Sequence, residues 1–386
     1  MVINKQNSKM KRYLVKALML LVFASAWACG DSRGEDTPPP PGPEGNKAFA
    51  GVWITSVAST ALDSRENIRQ AVDLCSKSGI NNIFMVVWNR ARTHYPSKVM
   101  KNLTGLEIAE KYTGRDPLKE MIEEAHAKGI KVHAWFEYGF AASNNENGGL
   151  ILQKKPEWAA RDASGKLLTK NGFEWMNAFL PEVQEFMTSL VLEVVNGYDV
   201  DGIQGDDRLP ALPSTGGYDD YTKELYKKAH NGSLPPADAK NAEWVNWRAS
   251  LLTEYQGTLY KAVKKAKPDV IVSCAPSVHP WAKDEYLQDW PAWLSKGYTD
   301  LVIPQHYRYD LDAYQSVLLQ QLSYLQPKDK GKFYPGVLIQ NSDYNPSPDF
   351  LKKMIEINRR NGLAGECFWF FEGVKKFPAF FETYHK

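Results

Sequence analysis

The chain has only four cysteines among its 386 residues, and no two of them have Cys-x-x-Cys spacing. Its seven histidines are scattered, and no pair has the spacing of zinc ligands. Neither a Gly-x-Gly-x-x-Gly turn after a strand nor a Walker loop is present, which argues against an open nucleotide-binding sheet. We therefore predict no metal and no cofactor, and we interpret Cys75, Cys274 and Cys367 as buried free thiols.

An excess of charge of one sign is also lacking, since 47 basic residues face 45 acidic ones. Five of the basic residues precede residue 29, so the remaining chain has 42 bases against 45 acids, a net charge of −3. Nucleic-acid partners call for a clustered positive field, so we expect no nucleic-acid binding. Hydrophobic residues make up 43% and charged residues 24%, as in an ordinary globular protein with a sizeable core.

The apolar run Ala17–Ala28 is too short for a stable membrane anchor, and it follows a basic segment, as in an export signal. It ends in Ala26-Trp-Ala-Cys29, which resembles the lipobox of bacterial lipoproteins. That resemblance implies cleavage before Cys29 and acylation of its thiol, whereas a plain secretory signal would leave Cys29 unexplained. We predict a lipoprotein signal peptide at 1–28 and a lipidated, proline-rich linker at 29–47. The protein would then be exported and lipid-anchored at the outer membrane or cell surface, facing the periplasm or the exterior.

Residues 48–386 alternate short apolar runs with segments of helical period, which indicates a parallel sheet covered by helices. The fold class is thus α/β, and eight regularly spaced strands favour a single closed (β/α)8 TIM barrel. The predicted strands are Ala50–Thr55, Asn82–Trp88, Lys131–Tyr138, Val200–Gln204, Asp269–Ala275, Asp300–Gln305, Phe333–Ile339 and Gly365–Phe371. The predicted helices are Ser64–Ser78, Asp116–Lys128, Pro181–Val195, Ala242–Lys265, Glu285–Lys296, Leu311–Leu325 and Pro348–Asn361. Gly79, Gly129, Gly197 and Gly362 are placed to end four of these helices.

Ligands bind at the carboxyl ends of parallel strands, so residues just past the strands are candidates for the site. Strand four delivers two adjacent carboxylates, Asp206 and Asp207, and Asp206 is the favoured catalytic residue. Glu137 and Glu372 compete for the role of acid, while Asp207 has about equal claims to catalysis and to a pairing with Arg208. Asp201 and Glu366 are interpreted as structural. The candidate substrate-binding residues are Arg90, Tyr95, His133, Trp135, Gln204, Gln305, Tyr307 and Trp369, with His133 and the aromatic residues also explicable as barrel interior.

This mixture of carboxylates, amides and indole rings fits a carbohydrate partner. Sugar rings stack their apolar faces on Trp and Tyr, and their hydroxyls need amide and carboxylate partners. Cleavage of a glycosidic bond requires one carboxyl group as proton donor and a second as nucleophile or base. Three hypotheses follow, a glycoside hydrolase as the favoured one, a carbohydrate-binding protein without turnover, and a polysaccharide deacetylase. A polysaccharide deacetylase would need an Asp/His/His metal site, which the histidines do not provide.

Several motifs resemble the glycosyl-hydrolase-like family 10 proteins, which have a TIM-barrel catalytic domain. They are GVWIT at Gly51, DPLKEMIEEAHAKGIKVHAWF at Asp116, PEVQEF at Pro181, YDVDGIQGDD at Tyr198, PQHY at Pro304 and GECFWFFEG at Gly365. The resemblance spans nearly all of 48–380 and implies glycoside hydrolysis at the strand-four aspartates.

The chain departs from that family's usual pattern at two strand ends. The strand-four motif usually reads like DGIHFDDY, whereas here Gln204 and Gly205 replace His-Phe, and Arg208 replaces the aromatic residue. Glu137 stands where an amide is more usual. The amylase-like pattern DGFRLD would place Asp206 at the nucleophile. Sugar, linkage, stereochemical outcome and oligomeric state are not predicted.

Overall fold

A computed structural model describes residues 48–384 of the chain. The predicted signal peptide, Cys29 and the linker to residue 47 lie outside the described residues. No helix within the described range combines the length and apolar character that crossing a bilayer would require.

Eight parallel strands form one curled sheet with the order β6-β5-β4-β3-β2-β1-β8-β7. Isolated parallel bridges join Val302 to Phe333 and Gln305 to Gly336. The two strands at opposite ends of this order, β6 and β7, therefore also meet each other. The predicted (β/α)8 barrel is confirmed. The strands are β1 Phe49–Ile54, β2 Asn82–Val86, β3 Lys131–Phe136, β4 Gly202–Gly205, β5 Ile271–Cys274, β6 Leu301–Val302, β7 Gly336–Leu338 and β8 Gly365–Trp369.

Thirteen α-helices lie in the described range and cover the strands or extend their loops. They are α1 Arg65–Lys77, α2 Lys98–Thr104, α3 Pro117–His126, α4 Gly149–Lys154, α5 Pro181–Gly197, α6 Asp220–Ala229, α7 Ala242–Ala266, α8 Trp281–Tyr286, α9 Trp290–Ser295, α10 Leu311–Leu322, α11 Pro348–Arg360, α12 Phe371–Val374 and α13 Pro378–Thr383. Short 3-10 helices occupy Glu110–Tyr112, Pro156–Trp158 and Pro327–Lys332.

Two details of the helix prediction are wrong. The predicted helix Glu285–Lys296 is two helices, because Leu287 adopts a left-handed conformation (φ 60°) and Pro291 starts a new helix at its first turn. Gly197 does not cap α5 in a left-handed conformation but forms its last residue, and Tyr198 follows in an extended conformation. Gly79, Gly129 and Gly362 do have positive φ just past their helices, as predicted.

The loops at the carboxyl ends of β2 and β3 carry strands that lie outside the barrel. Trp88–Asn89 pairs with Arg92–Thr93 in a hairpin whose two turn residues, Arg90 and Ala91, both have positive φ. The loop after β3 carries a three-stranded antiparallel sheet, formed by Ala141–Asn144, Thr169–Lys170 and Phe173–Trp175. Since Phe173 of this sheet lies over Arg208, the loop after β3 reaches the end of β4.

Candidate active site

Strand β4 carries Asp206 to the carboxyl end of the barrel and leaves it almost fully buried, with 4% of its surface exposed. Two glycines make this close packing feasible. A Cβ atom at Gly202 would lie 2.2 Å from the His133 ring, and one at Gly205 would lie 2.2 Å from the Leu209 carbonyl oxygen. The backbone at the end of β4 is therefore fixed by its neighbours before any ligand arrives.

Arg208 contacts all three nearby carboxylates. Its Nη2 lies 3.2 Å from Asp206 Oδ2 and 3.6 Å from Glu137 Oε1, and its Nη1 lies 2.9 Å from Asp207 Oδ1. Its Nε also donates to the main-chain carbonyl of Glu137 at 2.9 Å. The structure thus brings together three of the four predicted catalytic carboxylates. Arg208 lies at their centre, although it was predicted to pair only with Asp207.

Burial dominates the protonation of this cluster. It raises the pKa of Asp206 well above its ordinary range, and the Asp207 carboxylate adds to the rise while Arg208 opposes it. Burial likewise raises the pKa of Glu137, against the lowering effects of Arg208 and of a hydrogen bond from Asn89. Burial lowers the pKa of Arg208, but the three carboxylates outweigh it and leave that pKa raised. A pair of buried carboxyl groups beside one fixed cation retains a proton more readily than free carboxylates do.

Amide side chains hold the carboxylates in place. Gln305 Nε2 donates to Asp206 Oδ1 at 3.1 Å and to the Ala275 carbonyl, and Asn89 Nδ2 donates to Glu137 Oε2. Gln288 Nε2 donates to the main-chain oxygen of Asp206 at 2.9 Å. Gln305 was predicted as a site residue, whereas Asn89 and Gln288 were not. Asn89 directly follows β2 and was within reach of the strand-end argument, but nothing in the sequence around Gln288 indicates its contact with Asp206.

Three predicted substrate-binding residues lie in the barrel interior beneath the carboxylates. Gln204 is fully buried and accepts a hydrogen bond from Trp53 Nε1 at 2.7 Å. Trp135, on β3, is 1% exposed and lies two residues before Glu137, which follows the strand. Its ring is edge-on to that of Trp369. His133 lies deeper, bonded to Asn82 and stacked on Phe84 at 4.4 Å. Trp135 and Gln204 form the floor under the acids, His133 lies below them, and the substrate-binding role of all three stays a prediction.

Tyr95 and Glu372 lie apart from the Arg208 cluster. Tyr95 is fully buried, and its hydroxyl donates to the Leu190 carbonyl of α5, so its substrate-binding role stays a prediction. Glu372 accepts from Ser59 Oγ at 2.7 Å and pairs with Lys375 at 2.9 Å. Its partners belong to the loop after β1 and to the segment that follows β8, so the structure gives it a linking role between those loops.

The two acidic residues interpreted as structural have structural contacts. Asp201 accepts from the Val132 backbone N–H at 2.8 Å and bonds His126. Glu366 is fully buried, points away from the barrel interior, and pairs with Arg359 and Asn358 of α11. Within residues 48–384 no three His, Cys, Asp or Glu side chains are grouped as metal ligands.

Aromatic rings and one arginine surround the acids at the mouth. Half-buried Tyr307 and Trp369 lie with ring centroids 5.9 Å apart. Trp281 at the start of α8 is 48% exposed, and Tyr309 in the loop after β6 is 63% exposed. Arg90 is exposed at the tip of its hairpin, near Glu137 and the Tyr138 hydroxyl. Tyr307, Trp369 and Arg90 therefore remain available as the predicted substrate contacts.

Comparison with known proteins identifies the family. A model described as "Glycosyl hydrolase-like 10" matches residues 48–344, which is most of the chain. The chain belongs to this family. Its curated relatives include glycosyl hydrolase DigH of Escherichia coli K12, 27% identical over 310 residues covering 70% of this chain and 68% of the relative. Glycosyl hydrolase YngK of Bacillus subtilis is 24% identical over 305 residues, covering 68% of this chain and 55% of that protein.

Solved structures with this fold include two glycosidases. The glycoside hydrolase domain of PgaB (BpsB) from Bordetella bronchiseptica superposes with a TM-score of 0.65 at 11% identity, covering 87% of this chain and 97% of that one. The catalytic domain of a beta-amylase from Paenibacillus polymyxa gives a TM-score of 0.61 at 13% identity, covering 88% of this chain and 98% of that one. At such low sequence identities these similarities establish the barrel fold only. The chemistry has to be inferred from the residues at the mouth of the barrel.

Proposed function

We propose that the protein is an O-glycosyl hydrolase that cleaves a polysaccharide or glycan with Asp206 and Glu137 as its two carboxyl groups. The observation that carries the proposal is their approach to a single guanidinium nitrogen, 3.2 Å from Asp206 and 3.6 Å from Glu137, at the carboxyl end of the barrel. Membership of a glycosyl-hydrolase-like family supports it.

Hydrogen bonding distinguishes the roles of the two carboxyl groups. Both oxygens of Asp206 accept hydrogen bonds, Oδ1 from Gln305 and Oδ2 from Arg208, and these donors favour its ionised form against the effect of burial. Glu137 accepts from Asn89 on Oε2, while its Oε1 lies 3.6 Å from the nearest Arg208 nitrogen, too far for a hydrogen bond. We therefore propose that Glu137, which accepts fewer hydrogen bonds than Asp206, carries the proton at Oε1. In the proposed reaction Glu137 protonates the leaving oxygen, and Asp206 acts as the ionised partner.

The spacing of the acids is within the reach of both glycosidase mechanisms. The two distances to Arg208 Nη2 limit the gap between Asp206 Oδ2 and Glu137 Oε1 to 6.8 Å. Retention needs carboxyl groups about 5–5.5 Å apart, and inversion needs about 6.5–9.5 Å to admit a water. Because the limit applies to this one pair of oxygens and not to the whole carboxyl groups, Asp206 is proposed as the nucleophile or the base.

Exposed aromatic rings support a glycan as the substrate. Trp281 packs against Tyr286 with ring centroids 5.5 Å apart, and Tyr286 lies two residues before Gln288, which donates to the main-chain oxygen of Asp206. On another part of the mouth, Tyr309 lies edge-on to Tyr344 at 5.0 Å. Flat rings in these positions suit the C–H faces of sugars on either side of a cleaved bond.

The test is turnover of 4-nitrophenyl glycosides and a polysaccharide panel by wild type, Asp206→Asn and Glu137→Gln. We expect Asp206→Asn to lose turnover while still binding the polysaccharide. Glu137→Gln should lose turnover of poor leaving groups but keep part of it for 4-nitrophenolate, which departs without protonation. Asp199→Asn is a matched control, because the Asp199 side chain is 91% exposed.

The alternative, a carbohydrate-binding protein without turnover, has one observation in its favour. Arg208 replaces the family's aromatic residue and engages all three carboxylates. Wild-type binding of a polysaccharide without release of reducing ends from any member of the panel would establish this alternative and overturn the glycosidase.

The proposal includes export and attachment to a membrane through Cys29, which rests on the lipobox-like sequence alone. In a bacterial host fed a labelled fatty acid, wild type should become labelled and Cys29→Ser should not. Equal labelling of both proteins would contradict acylation at this residue. Detergent-free release of Cys29→Ser from the membrane fraction is the accompanying readout.

A further inference from the structure

Arg208 is held more rigidly than a surface arginine. Its backbone carbonyl accepts from the Phe140 N–H at 2.9 Å, and Gly139 approaches so closely that a Cβ there would lie 2.1 Å from that oxygen. Its guanidinium lies 4.6 Å from the Phe173 ring centroid and 5.5 Å from that of Tyr138. Only 12% of the side chain is exposed. The side chain is therefore fixed at both ends.

Each of the three nitrogens of the Arg208 guanidinium group has different partners. Nε bonds the main chain of Glu137, Nη2 lies between the Asp206 and Glu137 carboxylates, and Nη1 pairs with Asp207. A planar fork can make these contacts at once, whereas the ammonium group of a lysine is a single point charge on a flexible stem. The contacts thus depend on the shape of arginine as well as on its charge.

We propose that Arg208 is the positioning residue of the acid pair, setting the distance between Asp206 and Glu137 and keeping Asp206 ionised while Glu137 carries the proton. The inference rests on the proposed function and adds a determinant of its geometry and pH range. Asp207 is then a third carboxylate that orients the fork, and it does not react with the substrate.

The charged and titratable groups that face the pair come from five elements. They are Asp207 and Arg208 after β4, Tyr138 after β3, Arg90 in the hairpin after β2, Tyr286 in the loop after β5 and Tyr307 in the loop after β6. Arg208 is the one cation among them whose nitrogens contact both carboxylates. Loss of its charge therefore affects both acids in the same direction.

The effect on the pH profile follows from this arrangement. Activity needs Asp206 ionised, which sets the acid limb, and Glu137 protonated, which sets the alkaline limb. An opposite charge within about 4 Å lowers the pKa of a carboxyl group by about 1–3 units. Removal of the Arg208 charge should therefore move both limbs of the kcat/KM profile to higher pH by about one unit or more. A residue that only holds loops together would lower stability without displacing the profile.

The experiment compares Arg208→Gln, which removes the charge, with Arg208→Lys, which keeps the charge but loses the fork. For Arg208→Gln we expect kcat to fall by at least about tenfold with little change in KM, and the profile to shift upward. For Arg208→Lys we expect a similar fall in kcat with a much smaller shift of the profile. Arg115→Gln is the matched control, because Arg115 pairs with Glu120 in a partly buried salt bridge that includes none of the three carboxylates around Arg208.

A second measurement does not depend on turnover. In protein labelled with ¹³C at the Asp and Glu carboxyls, Arg208→Gln should shift the titration of two carboxyl resonances upward by about one unit or more. Arg115→Gln should leave those two resonances unchanged. Identical titration of these carboxyls in wild type and Arg208→Gln would overturn the proposal, as would an unchanged pH profile with undiminished kcat. If wild type hydrolyses no glycoside, the proposed function fails, while the carboxyl titration still decides the role of Arg208.

If Arg208→Gln does not fold, Arg208→Lys provides the test. In that variant we expect kcat to fall while the pH profile of kcat/KM shifts little. Wild-type kcat in folded Arg208→Lys would contradict the requirement for the fork.

Discussion

Trp53 Nε1 donates to Gln204 Oε1 at 2.7 Å, joining β1 to β4 across the interior of the barrel directly beneath Asp206. Both side chains are at most 1% exposed, so no solvent replaces this bond when it is lost. It is a hydrogen bond between two buried side chains, and it links β4 to β1 just before β4 delivers Asp206.

Replacing the indole tests this contact. Trp53→Phe leaves Gln204 Oε1 buried without a donor and also removes buried ring volume, so we expect unfolding free energy to fall by about 2–4 kcal/mol. Urea denaturation followed by circular dichroism measures it. The exposed Trp281→Phe serves as the matched control and should change stability by less than about 0.5 kcal/mol. Equal midpoints for the two variants would show that the buried bond contributes nothing.

Glu174 gives the loop after β3 a stability that depends on pH. Its carboxylate accepts from Ser143 Oγ and from the backbone N–H groups of Glu146, Asn147 and Gly148 at 2.8–3.1 Å. Burial tends to raise the pKa of Glu174, but these hydrogen bonds lower it overall. A lowered folded-state pKa means that the stabilisation is complete above the unfolded value of about 4.3 and is lost as pH falls through the folded value.

We therefore expect Glu174→Gln to be less stable than wild type at pH 7 and the difference to shrink as the pH is lowered below about 4. Thermal unfolding at a series of pH values provides the measurement. Glu157→Gln, at a largely exposed position in the same loop, is the control. A difference that stayed constant down to pH 3 would assign the effect to lost packing and not to ionisation.

Arg248 holds the long loop after β4 by hydrogen bonds to main-chain carbonyl groups. It is fully buried, and its guanidinium donates to the carbonyls of Ser214, Gly216 and Ala239 at 2.5–2.8 Å. Arg248→Met would leave these carbonyls without their donor, at a cost of about 1–3 kcal/mol for each one that water cannot reach. We expect faster hydrogen exchange and proteolysis confined to residues 209–241. Unchanged exchange in that loop would contradict the assigned role.

Trp281 should matter for long substrates and not for short ones. Its ring is 48% exposed and packs against Tyr286, and we expect it to contact a sugar of a long glycan but not a 4-nitrophenyl glycoside. Trp281→Ala should raise KM for a polysaccharide by about tenfold, in line with the loss of one stacked ring, and leave aryl-glycoside kinetics unchanged. Leu319→Ala, equally exposed on α10, is the control. Equal KM values for wild type and Trp281→Ala on the polysaccharide would remove Trp281 from the binding surface.

The barrel strands were predictable because strands buried on both faces read as near-continuous apolar runs separated by helical periods. β2, for example, is buried at all five positions. The sheet in the loop after β3 was not predicted, because its strands are two to four residues long and carry no clear alternation. The helix end at Leu287 was not predictable either, because leucine rarely adopts the left-handed conformation that ends the helix there.

The site was predictable at the level of strand ends but not of side-chain direction. Asp206 and Glu137 directly follow strands, so their proximity followed from the barrel itself. Tyr95 also lies in a strand-end segment, yet the hairpin after β2 turns it under α5. Arg208 is two residues beyond Asp206, and only the fold of the loop shows that its side chain returns to the acids.

The barrel closes through its shortest strands, and this has a consequence for inactivation. β6 has two residues and β7 three, and the bridges between Val302 and Phe333 and between Gln305 and Gly336 complete the ring. Gln305 belongs both to this seam and to the shell of donors around Asp206. Warming that separates the two strands slightly would move the amide away from Asp206 while the other seven strand pairings still hold. The proposed glycosidase activity should accordingly be lost several degrees before the fold is lost.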